Sequence, residues 1–262
     1  MPTKRGARGM RVDHNMAYTN NRFCWLGVVS TDLAKTTPFY TEVLGWSAET
    51  IQMGDNEATM LKAADGKSIA HTAAPAMDGV PSHWNNYLRV QNVDKSAKLA
   101  EANGGKVLVP GTDIPPGRFA VVTSPSGATF SLFREADESA SDAGDGEGSI
   151  HWTELHSTDL DADLAWLKST FGYTTEVMDM PQGAYHVLMS GDAKAGGAMA
   201  QAHEGAPSMW LTWVKMADVD AAVGRASQHG GKVIAPAFEV PNVGYMAILA
   251  DPTGGVFGVI TP

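Results

Sequence analysis

An internal repeat constrains this chain more than any other feature, because motifs of the first half return in the same order about 126 residues later. The Pro-Ser-x-Trp motif of residues 81–84 returns at 207–210, and the Gly-Gly-Lys-Val of residues 104–107 returns unchanged at 230–233. A period of this length corresponds to a whole domain and not to a solenoid unit of roughly 20–50 residues. The sequence therefore predicts two homologous domains in tandem.

Changes of composition give the predicted boundaries. We place the first domain at residues 22–134 and the second at residues 150–262. The segment between them, residues 135–149, contains six acids among Gly, Ser and Ala, a composition typical of a solvated linker. Residues 1–21 carry four basic side chains against one acid and are expected to form a flexible basic tail.

Charge and cysteine content narrow the classes of partner. The formal net charge is −10, which works against attraction to nucleic acid or to an anionic membrane. The single cysteine, Cys24, cannot form an internal disulfide, and no run of apolar residues is long enough to span a bilayer. We therefore expect a cytoplasmic protein whose partner is a small molecule, with the two halves forming a pseudo-dimer within one chain.

The hydrophobic pattern inside each copy alternates between the period of a strand and that of a helix. In the first copy it predicts a strand at residues 23–30, a helix at 33–44 that follows Asp32 as N-cap and ends at Gly45, and three short strands. The same order then repeats, with a strand predicted at residues 106–109. Each domain is therefore a pair of βαβββ units, and the fold class is α+β, with a curved mixed sheet around a cleft.

This pattern resembles the vicinal oxygen chelate superfamily, which includes glyoxalase, bleomycin resistance proteins and extradiol dioxygenases. The resemblance is carried by the Asp-Leu that opens the first helix, the aromatic pair at residues 39–40, the Gly-Trp at 45–46, and the Asp-Pro-Thr-Gly hairpin at 251–254. It extends over nearly all of residues 22–262 and is closest to tandem two-domain, glyoxalase-like members. It implies two domains of that fold, each with a concave cavity.

Members of that superfamily that use a metal place ligands at four positions of the fold. In this sequence those positions hold Trp25, His71, Asn85 and Ser131 in the first copy, and Trp152, Gly197, Leu211 and Gly258 in the second. Only His71 is a strong ligand for a divalent cation. The sequence therefore predicts a member without a metal site and without another cofactor.

Strand alternation predicts which side chains face each cleft. The cleft-facing residues of the first strand in each copy are expected to be Trp25, Gly27 and Val29, and Trp152, Glu154 and His156. The first cleft should thus be apolar and small-walled, whereas the second holds a carboxylate and an imidazole about 6.5 to 7 Å apart. Glu154 and His156 are the candidate catalytic residues. Alternatively, they are two of three ligands of a displaced metal site, orient a ligand, bond to the neighbouring domain, or face water.

Aromatic and polar residues at other cleft positions suggest a binding surface. The expected ligand-binding residues are Trp25, Asn85, Tyr87, Trp152 and Trp213. Tyr185 and His186 are adjacent on one predicted strand, so only one of them can face the cleft.

Three functions remain open at this point. The first is binding of a small, largely apolar or aromatic metabolite in a cleft that lacks the usual metal ligands. The second is a glyoxalase-like lyase or isomerase, with Glu154 as base and His156 assisting, with or without an unusual metal site. The third is a structural or interaction role in which side chains fill both clefts.

Overall fold

Each half of the chain forms one eight-stranded mixed sheet in the computed structural model, which describes residues 21–53, 56–137, 144–180 and 183–262. The predicted basic tail lies outside these ranges except for Asn21, and so do residues 138–143 of the predicted linker.

The first half contains two helices and eight strands. They are β1 (Phe23–Val29), α1 (Leu33–Leu44), β2 (Ser47–Met53), β3 (Asn56–Lys62), β4 (Ser68–Ala73), β5 (His83–Arg89), α2 (Val93–Ala102), β6 (Lys106–Ile114), β7 (Gly117–Thr123) and β8 (Thr129–Glu135). The second half repeats this order with β9 (Ile150–Ser157), α3 (Leu160–Phe171), β10 (Thr174–Met180), β11 (Gly183–Ser190), β12 (Ala193–Ala200), β13 (Met209–Lys215), α4 (Val219–Gln228), β14 (Lys232–Val240), β15 (Gly244–Ala250) and β16 (Val256–Thr261).

The strand order is the same in both sheets. It is β2-β3-β4-β1-β5-β8-β7-β6 in the first and β10-β11-β12-β9-β13-β16-β15-β14 in the second. The first strands of the two units pair antiparallel at the centre, β1 with β5 and β9 with β13. Each also pairs in parallel with the last strand of its own unit. The predicted pair of βαβββ units per domain is therefore confirmed.

The helix boundaries follow from local chemistry. The side chain of Asp32 accepts a hydrogen bond from the backbone N–H of Lys35, and that of Asp159 accepts one from Ala162, so each aspartate caps its helix. Helices α1 and α3 both end at a glycine in the left-handed region, with φ of 68° at Gly45 and 77° at Gly172. The longest helices of the described ranges have 12 residues, and none of those described is long and apolar enough to cross a membrane.

The helices lie between the two sheets, where both halves contribute to shared cores. Helix α1 contacts α4, and α2 contacts α3. One buried cluster joins Leu26 and Tyr40 of the first half to Val214 and Phe257 of the second. Since successive strand residues face opposite sides, the residues that alternate with this core occupy the outward, concave face of each sheet.

Buried hydrogen bonds also join the halves. The Tyr40 hydroxyl donates to Asp251 Oδ2 at 2.7 Å, and both residues are almost fully buried. Near the other helix pair, Asp163 Oδ1 accepts from the backbone N–H of Ser126 at 3.1 Å, and its Oδ2 accepts from Ser157 Oγ at 2.7 Å. Each buried carboxylate is thus satisfied by donors, as burial of a charged group requires.

Two predicted details differ from the structure. Strand β6 extends to Ile114 and does not end at Val109, because it is an edge strand whose register shifts on either side of Val109. Pro110 is tolerated there because an edge strand need not donate every backbone N–H to a neighbour.

The end of the predicted linker is packed and not solvated, since Ser149 is 1% exposed and the carbonyl of Gly148 accepts from Trp46 Nε1.

Candidate functional site

The concave face of the second sheet, which we call the second cup, contains a cavity of about 470 Å³. Three alternate residues of β9, Trp152, Glu154 and His156, line it as the sequence predicts. Much of the remaining wall is apolar, for example Met178, Met180, Met199, Phe238, Met246 and Ile248. A volume of this size, with apolar walls and a few polar groups, is typical of a small-molecule site.

A chain of hydrogen bonds runs along one wall of the second cup. Trp152 Nε1 donates to Tyr185 Oη at 2.7 Å, and the Tyr185 hydroxyl donates to Glu154 Oε2 at 2.7 Å. The second carboxylate oxygen, Oε1, lies 2.9 Å from His156 Nε2. Both oxygens of Glu154 are therefore engaged within the wall.

These contacts correct the sequence-based expectation for the pair. Glu154 and His156 do not stand apart on either side of a substrate group, because their side chains converge to 2.9 Å. They do not bond to the neighbouring domain either, since their partners are each other and Tyr185. Period-two alternation gives the face of a strand but not the rotamers that bring two side chains together.

Gly197 makes room for this arrangement. It lies on β12 directly opposite Glu154, and a Cβ there would overlap Tyr185 Oη. The missing side chain lets the tyrosine ring reach across the floor of the cup to the carboxylate. Of the two residues that the sequence left open, Tyr185 therefore faces the cavity.

Burial keeps the hydroxyl of Tyr185 protonated. It raises the pKa of Tyr185 far above its ordinary value, and the negative charge and hydrogen bond of Glu154 raise it further. Tyr185 is therefore a donor at any physiological pH. Glu154 is 6% exposed, and its hydrogen bonds from Tyr185 and His156 compensate for the burial of its charge.

The tautomer of His156 follows from the same contacts. Because an ionised carboxylate can only accept, a neutral His156 donates its Nε2 proton to Glu154. Its other ring nitrogen, Nδ1, is then an acceptor, and it has no hydrogen-bond partner within the described part of the chain.

Trp213 lies on β13 opposite Trp152 of β9 and lines the same cavity. It is 3% exposed, and its Nε1 is a buried donor without a hydrogen-bond partner among the described residues. Its ring lies over Gly258 of the neighbouring strand, where a Cβ would overlap the indole. Leu211, which holds one of the four ligand positions of metal-using relatives, is buried in the same cluster.

The corresponding face of the first sheet, which we call the first cup, is filled differently. Trp25 Nε1 donates to His71 Nδ1 at 2.9 Å, and burial lowers the pKa of that imidazole. A Cβ on Gly27 would lie 3.2 Å from His71 and 3.4 Å from Tyr87, so both rings pack above this glycine. The expectation of an apolar, small-walled first cleft was wrong, because rings from β4 and β5 cover the small residues of β1.

Two polar side chains of the first cup satisfy one another. Asn85 Nδ2 donates to Ser131 Oγ at 2.9 Å, and Ser131 Oγ lies 3.2 Å from Asn85 Oδ1. Burial raises the pKa of the nearby Tyr87 hydroxyl. The five predicted ligand-binding residues are thus divided between two separate sheets: Trp25, Asn85 and Tyr87 line the first cup, and Trp152 and Trp213 line the second.

Several residues of the second cup were not predicted. Met178 and Met180 occupy alternate positions of β10 and line the cavity, and alternation on that strand could have suggested them. Lys194 and His203 also line it, and His203 comes from the loop after β12. No local pattern marks a loop residue as part of a cavity.

The donor atoms of neither cup fit a resident divalent metal. Of the four positions that hold ligands in metal-using relatives, the second cup has Trp152, Gly197, Leu211 and Gly258. None of these side chains is a metal ligand. The ranges that the structure describes contain no group of three His, Cys, Asp or Glu side chains close enough to hold a metal ion.

Comparison with known proteins gives matches to both halves. A family model described as the glyoxalase/bleomycin resistance protein/dioxygenase superfamily matches residues 22–132 and 149–258. CFP32 of Mycobacterium tuberculosis (strain CDC 1551 / Oshkosh), which is named a glyoxylase, is 32% identical over 91% of this chain and 94% of its own. The anthracycline biosynthesis protein DauV of Streptomyces sp. (strain C5) is 28% identical over 90% of this chain and 91% of its own.

Among solved structures, the Mn(II)-bound glyoxalase from Novosphingobium aromaticivorans has a similar fold. It aligns with a TM-score of 0.62 at 20% identity, covering 93% of this chain and 82% of that one. At this level of identity the likeness concerns the fold alone.

Proposed function

This chain belongs to the glyoxalase/bleomycin resistance protein/dioxygenase superfamily, and from that premise we propose that its second domain binds a small, largely apolar or aromatic molecule. The observation that carries this proposal is the cavity of about 470 Å³ in the second cup. Its apolar wall would desolvate the body of a ligand, while Glu154, Tyr185 and His156 place polar groups at one end.

Methionine is prominent in the wall of that cavity. Met178, Met180, Met199 and Met246 have flexible, polarisable side chains that adapt to irregular apolar shapes and contact aromatic rings favourably. Trp152, which is only partly buried, adds a flat surface for stacking. The name of the Streptomyces relative directs the first choice of ligands toward anthracycline-type, multi-ring aromatic compounds.

Tryptophan fluorescence and calorimetry against a panel of aromatic ketones, hydroxyaromatics and anthracyclines test this proposal. We expect saturable binding to the wild-type protein and about tenfold weaker binding to Glu154→Gln, because an amide cannot accept from both Tyr185 and His156. Glu239→Gln is the matched control, since Glu239 is exposed and lies on the opposite side of β14 from Phe238. Absence of saturable binding to the wild-type protein across the panel would overturn the proposal.

We also propose that this binding needs no resident divalent metal. The second cup offers one carboxylate, Glu154, which already bonds to His156, and two further imidazoles, those of His151 and His203. A cation there would have to displace the bond between Glu154 and His156, and within the described ranges no three His, Cys, Asp or Glu side chains lie close enough together to hold it.

A second candidate function is favoured by the carboxylate–imidazole pair itself. Glu154 holds the proton of His156 on Nε2, which leaves Nδ1 as a base at the cavity. The geometry thus favours His156 as the base and Glu154 as the group that orients it, the reverse of the roles suggested by the sequence. Such a base could accept a proton from a carbon next to a carbonyl, and Glu154 would stabilise the resulting imidazolium.

Exchange of substrate protons with deuterated water separates this candidate from binding alone. Wild-type protein should catalyse exchange at the carbon next to the carbonyl in a panel of aromatic α-hydroxyketones. His156→Ala should slow that exchange by about 10²-fold or more. Ligands that bind without any catalysed exchange would leave binding as the function and remove the enzymatic candidate.

A further inference from the structure

We propose that Lys194 and His151, which we call the basic end of the second cup, bind a carboxylate of the ligand, so that the site selects aromatic acids over neutral aromatic molecules of the same shape. This inference rests on the proposed function, because it names the charged group that a bound aromatic molecule carries. Irregularities of two neighbouring strands turn both basic side chains toward the cavity.

Lys194 reaches the cavity because strand β12 contains a β-bulge. Two successive residues of β11 pair with Gly196 and Lys194, so Ala195 between them is an extra residue. Strict alternation from Met199, which lines the cavity, would place Ala195 in the cup and Lys194 toward the helices. The bulge reverses this order, since Ala195 packs against the core and Lys194 lines the cavity.

A second bulge does the same for His151 on β9. Two successive residues of β13 pair with Trp152 and Ile150, so His151 between them is the extra residue. Alternation from Trp152 would place Ile150 in the cup, but Ile150 packs against the core, and His151 lines the cavity instead. Bulges are frequent beside functional sites because they redirect a side chain in this way.

Both bulges lie at the same end of the cup. Strands β9 and β12 are parallel neighbours, and Gly197 pairs with Glu154. Lys194 and His151 each precede this pair by three residues, so they enter the cavity from adjacent strands about 5 Å apart. Three residues along β9 correspond to a Cα separation of about 10 Å from Glu154. A carboxylate at the basic end therefore stays clear of the negative charge of Glu154.

The ammonium group of Lys194 is available to a ligand. Lys194 is exposed and makes no hydrogen bond or ion pair within the part of the chain that the structure describes. Burial and the positive charge of Lys215 lower the pKa of His151, so its imidazole is neutral at pH 7 and has one N–H to donate. An ammonium group and an imidazole N–H together offer donors to both oxygens of a carboxylate.

The first copy has the same two bulges without basic residues. Its equivalents of Lys194 and His151 are Ser68, beside the bulge in β4, and Cys24, the extra residue of β1. The bulges are thus a property of the fold, whereas the two basic side chains belong to the second copy. They coincide with the cup that contains the cavity of about 470 Å³.

Two probes of similar shape test the inference by calorimetry at pH 7: 2-naphthoic acid, which is ionised, and 2-naphthamide, which is neutral. We expect the wild-type protein to bind the carboxylate about tenfold more tightly, from its charge-assisted hydrogen bonds. The net charge of −10 repels anions at a distance, so a preference for the carboxylate reports local contacts. Raising the ionic strength from about 0.05 M to about 0.5 M should weaken binding of the carboxylate alone, about threefold.

Variants of the basic end locate the contact. Lys194→Met keeps an unbranched side chain and removes the charge, so it should reduce the preference to less than about threefold. Lys194→Arg should retain the preference, and His151→Phe, which lacks the N–H, should lower it about threefold. The matched control is Lys232→Met, since Lys232 is exposed on β14 and does not line the cavity. It changes the net charge equally and should retain the tenfold preference.

The outcomes distinguish this inference from the proposed function. Equal affinity of the wild-type protein for the two probes, an unchanged preference in Lys194→Met, or an equal loss in Lys194→Met and Lys232→Met would overturn the inference while the proposed function stands. Failure of both probes to bind the wild-type protein would count against the proposed function and the inference together.

Discussion

In the first cup the rings of His71 and Tyr87 lie over Gly27, whereas in the second cup the ring of Tyr185 lies over Gly197. The two glycines are on different strands, β1 and β12, and they admit rings from different neighbours. In the first cup His71 Nδ1 accepts from Trp25 Nε1, and Asn85 pairs with Ser131. In the second, a donor at Trp213 remains unpaired beside a cavity.

This difference teaches how one fold can become either a scaffold or a binding site. Both sheets have the same strand order and pair of central strands. They differ in the strand that carries a glycine beneath a ring, β1 in the first sheet and β12 in the second, and therefore in which rings cover the concave face. A cup whose polar groups satisfy each other gains little from a ligand, since binding would break those bonds.

The largest effect that we expect comes from closing the space at Gly197. In Gly197→Ala the new Cβ overlaps Tyr185 Oη, so the tyrosine must leave both Trp152 and Glu154. Loss of two buried hydrogen bonds should lower affinity by about 100-fold and the free energy of unfolding by about 2 kcal/mol. Calorimetry and urea unfolding measure the two quantities.

The matched control for that variant is Gly27→Ala in the first cup. There the added Cβ meets His71 at 3.2 Å, a contact that a small shift of the imidazole relieves. We expect ligand affinity to stay within about twofold. Equal loss of affinity in the two variants would remove the proposed distinction between the cups.

Removal of the Tyr185 hydroxyl should have a smaller effect. Tyr185→Phe leaves Trp152 without its acceptor and Glu154 without one donor. The free energy of unfolding should fall by about 1 to 2 kcal/mol, and affinity about fivefold. In the control Tyr245→Phe, an exposed tyrosine loses one bond to Asp220, and stability should change by less than about 0.5 kcal/mol. Chemical denaturation that shows equal changes would contradict the structural role of the Tyr185 bonds.

The free energy of unfolding should depend on pH in part because of His71, the buried histidine of the first cup. Burial lowers the pKa of His71 below its unfolded value of about 6.5, so the unfolded chain binds the proton more readily. The contribution of His71 to the free energy of unfolding is therefore complete above about pH 6.5. It is lost as the pH falls through the pKa of His71 in the folded protein.

Urea unfolding of wild-type protein and His71→Gln at pH 7 and pH 5 measures this contribution. Stability should fall less steeply toward pH 5 in the variant, although it begins lower because the bond from Trp25 is weakened. His151 contributes a similar dependence in both proteins, because burial also lowers its pKa. An unchanged slope in the variant would show that His71 does not distinguish the first cup in this way.

The smallest expected effect is that of divalent metal. Addition of Mn(II) or Zn(II), and its removal with a chelator, should leave ligand affinity and unfolding temperature unchanged. A metal bound at 100 times its Kd would add about 2.7 kcal/mol to stability, so a specific site would be easily detected by thermal unfolding. A stabilisation that Glu154→Gln abolishes would place a metal in the second cup and contradict the proposal.

Much of the fold could be predicted because the repeat and the periodicity act locally. The caps at Asp32 and Gly45 bracket helix α1 at the predicted residues. The prediction failed for β6, which continues past residue 109 through Pro110 to Ile114. Only the position of that strand at the edge of the sheet explains why a proline is tolerated there.

The candidate site was accessible to sequence reasoning only in part. Alternation along β9 correctly places Trp152, Glu154 and His156 on one face, because the period of a strand is two. The contribution of Tyr185 could not be decided, since the register of β11 determines which of two adjacent residues faces inward.

By itself, the sequence determined that this protein has two related domains of βαβββ units and that a carboxylate and an imidazole lie on the concave face of the second. Both conclusions follow from local periodicity and from repetition along the chain. Only the tertiary structure decided that Glu154 bonds to His156 and Tyr185, that the rings of His71 and Tyr87 cover Gly27 in the first cup, and that Trp213 keeps an unpaired donor. Those outcomes depend on side chains from strands distant in sequence competing for the same space, and no local pattern encodes that competition.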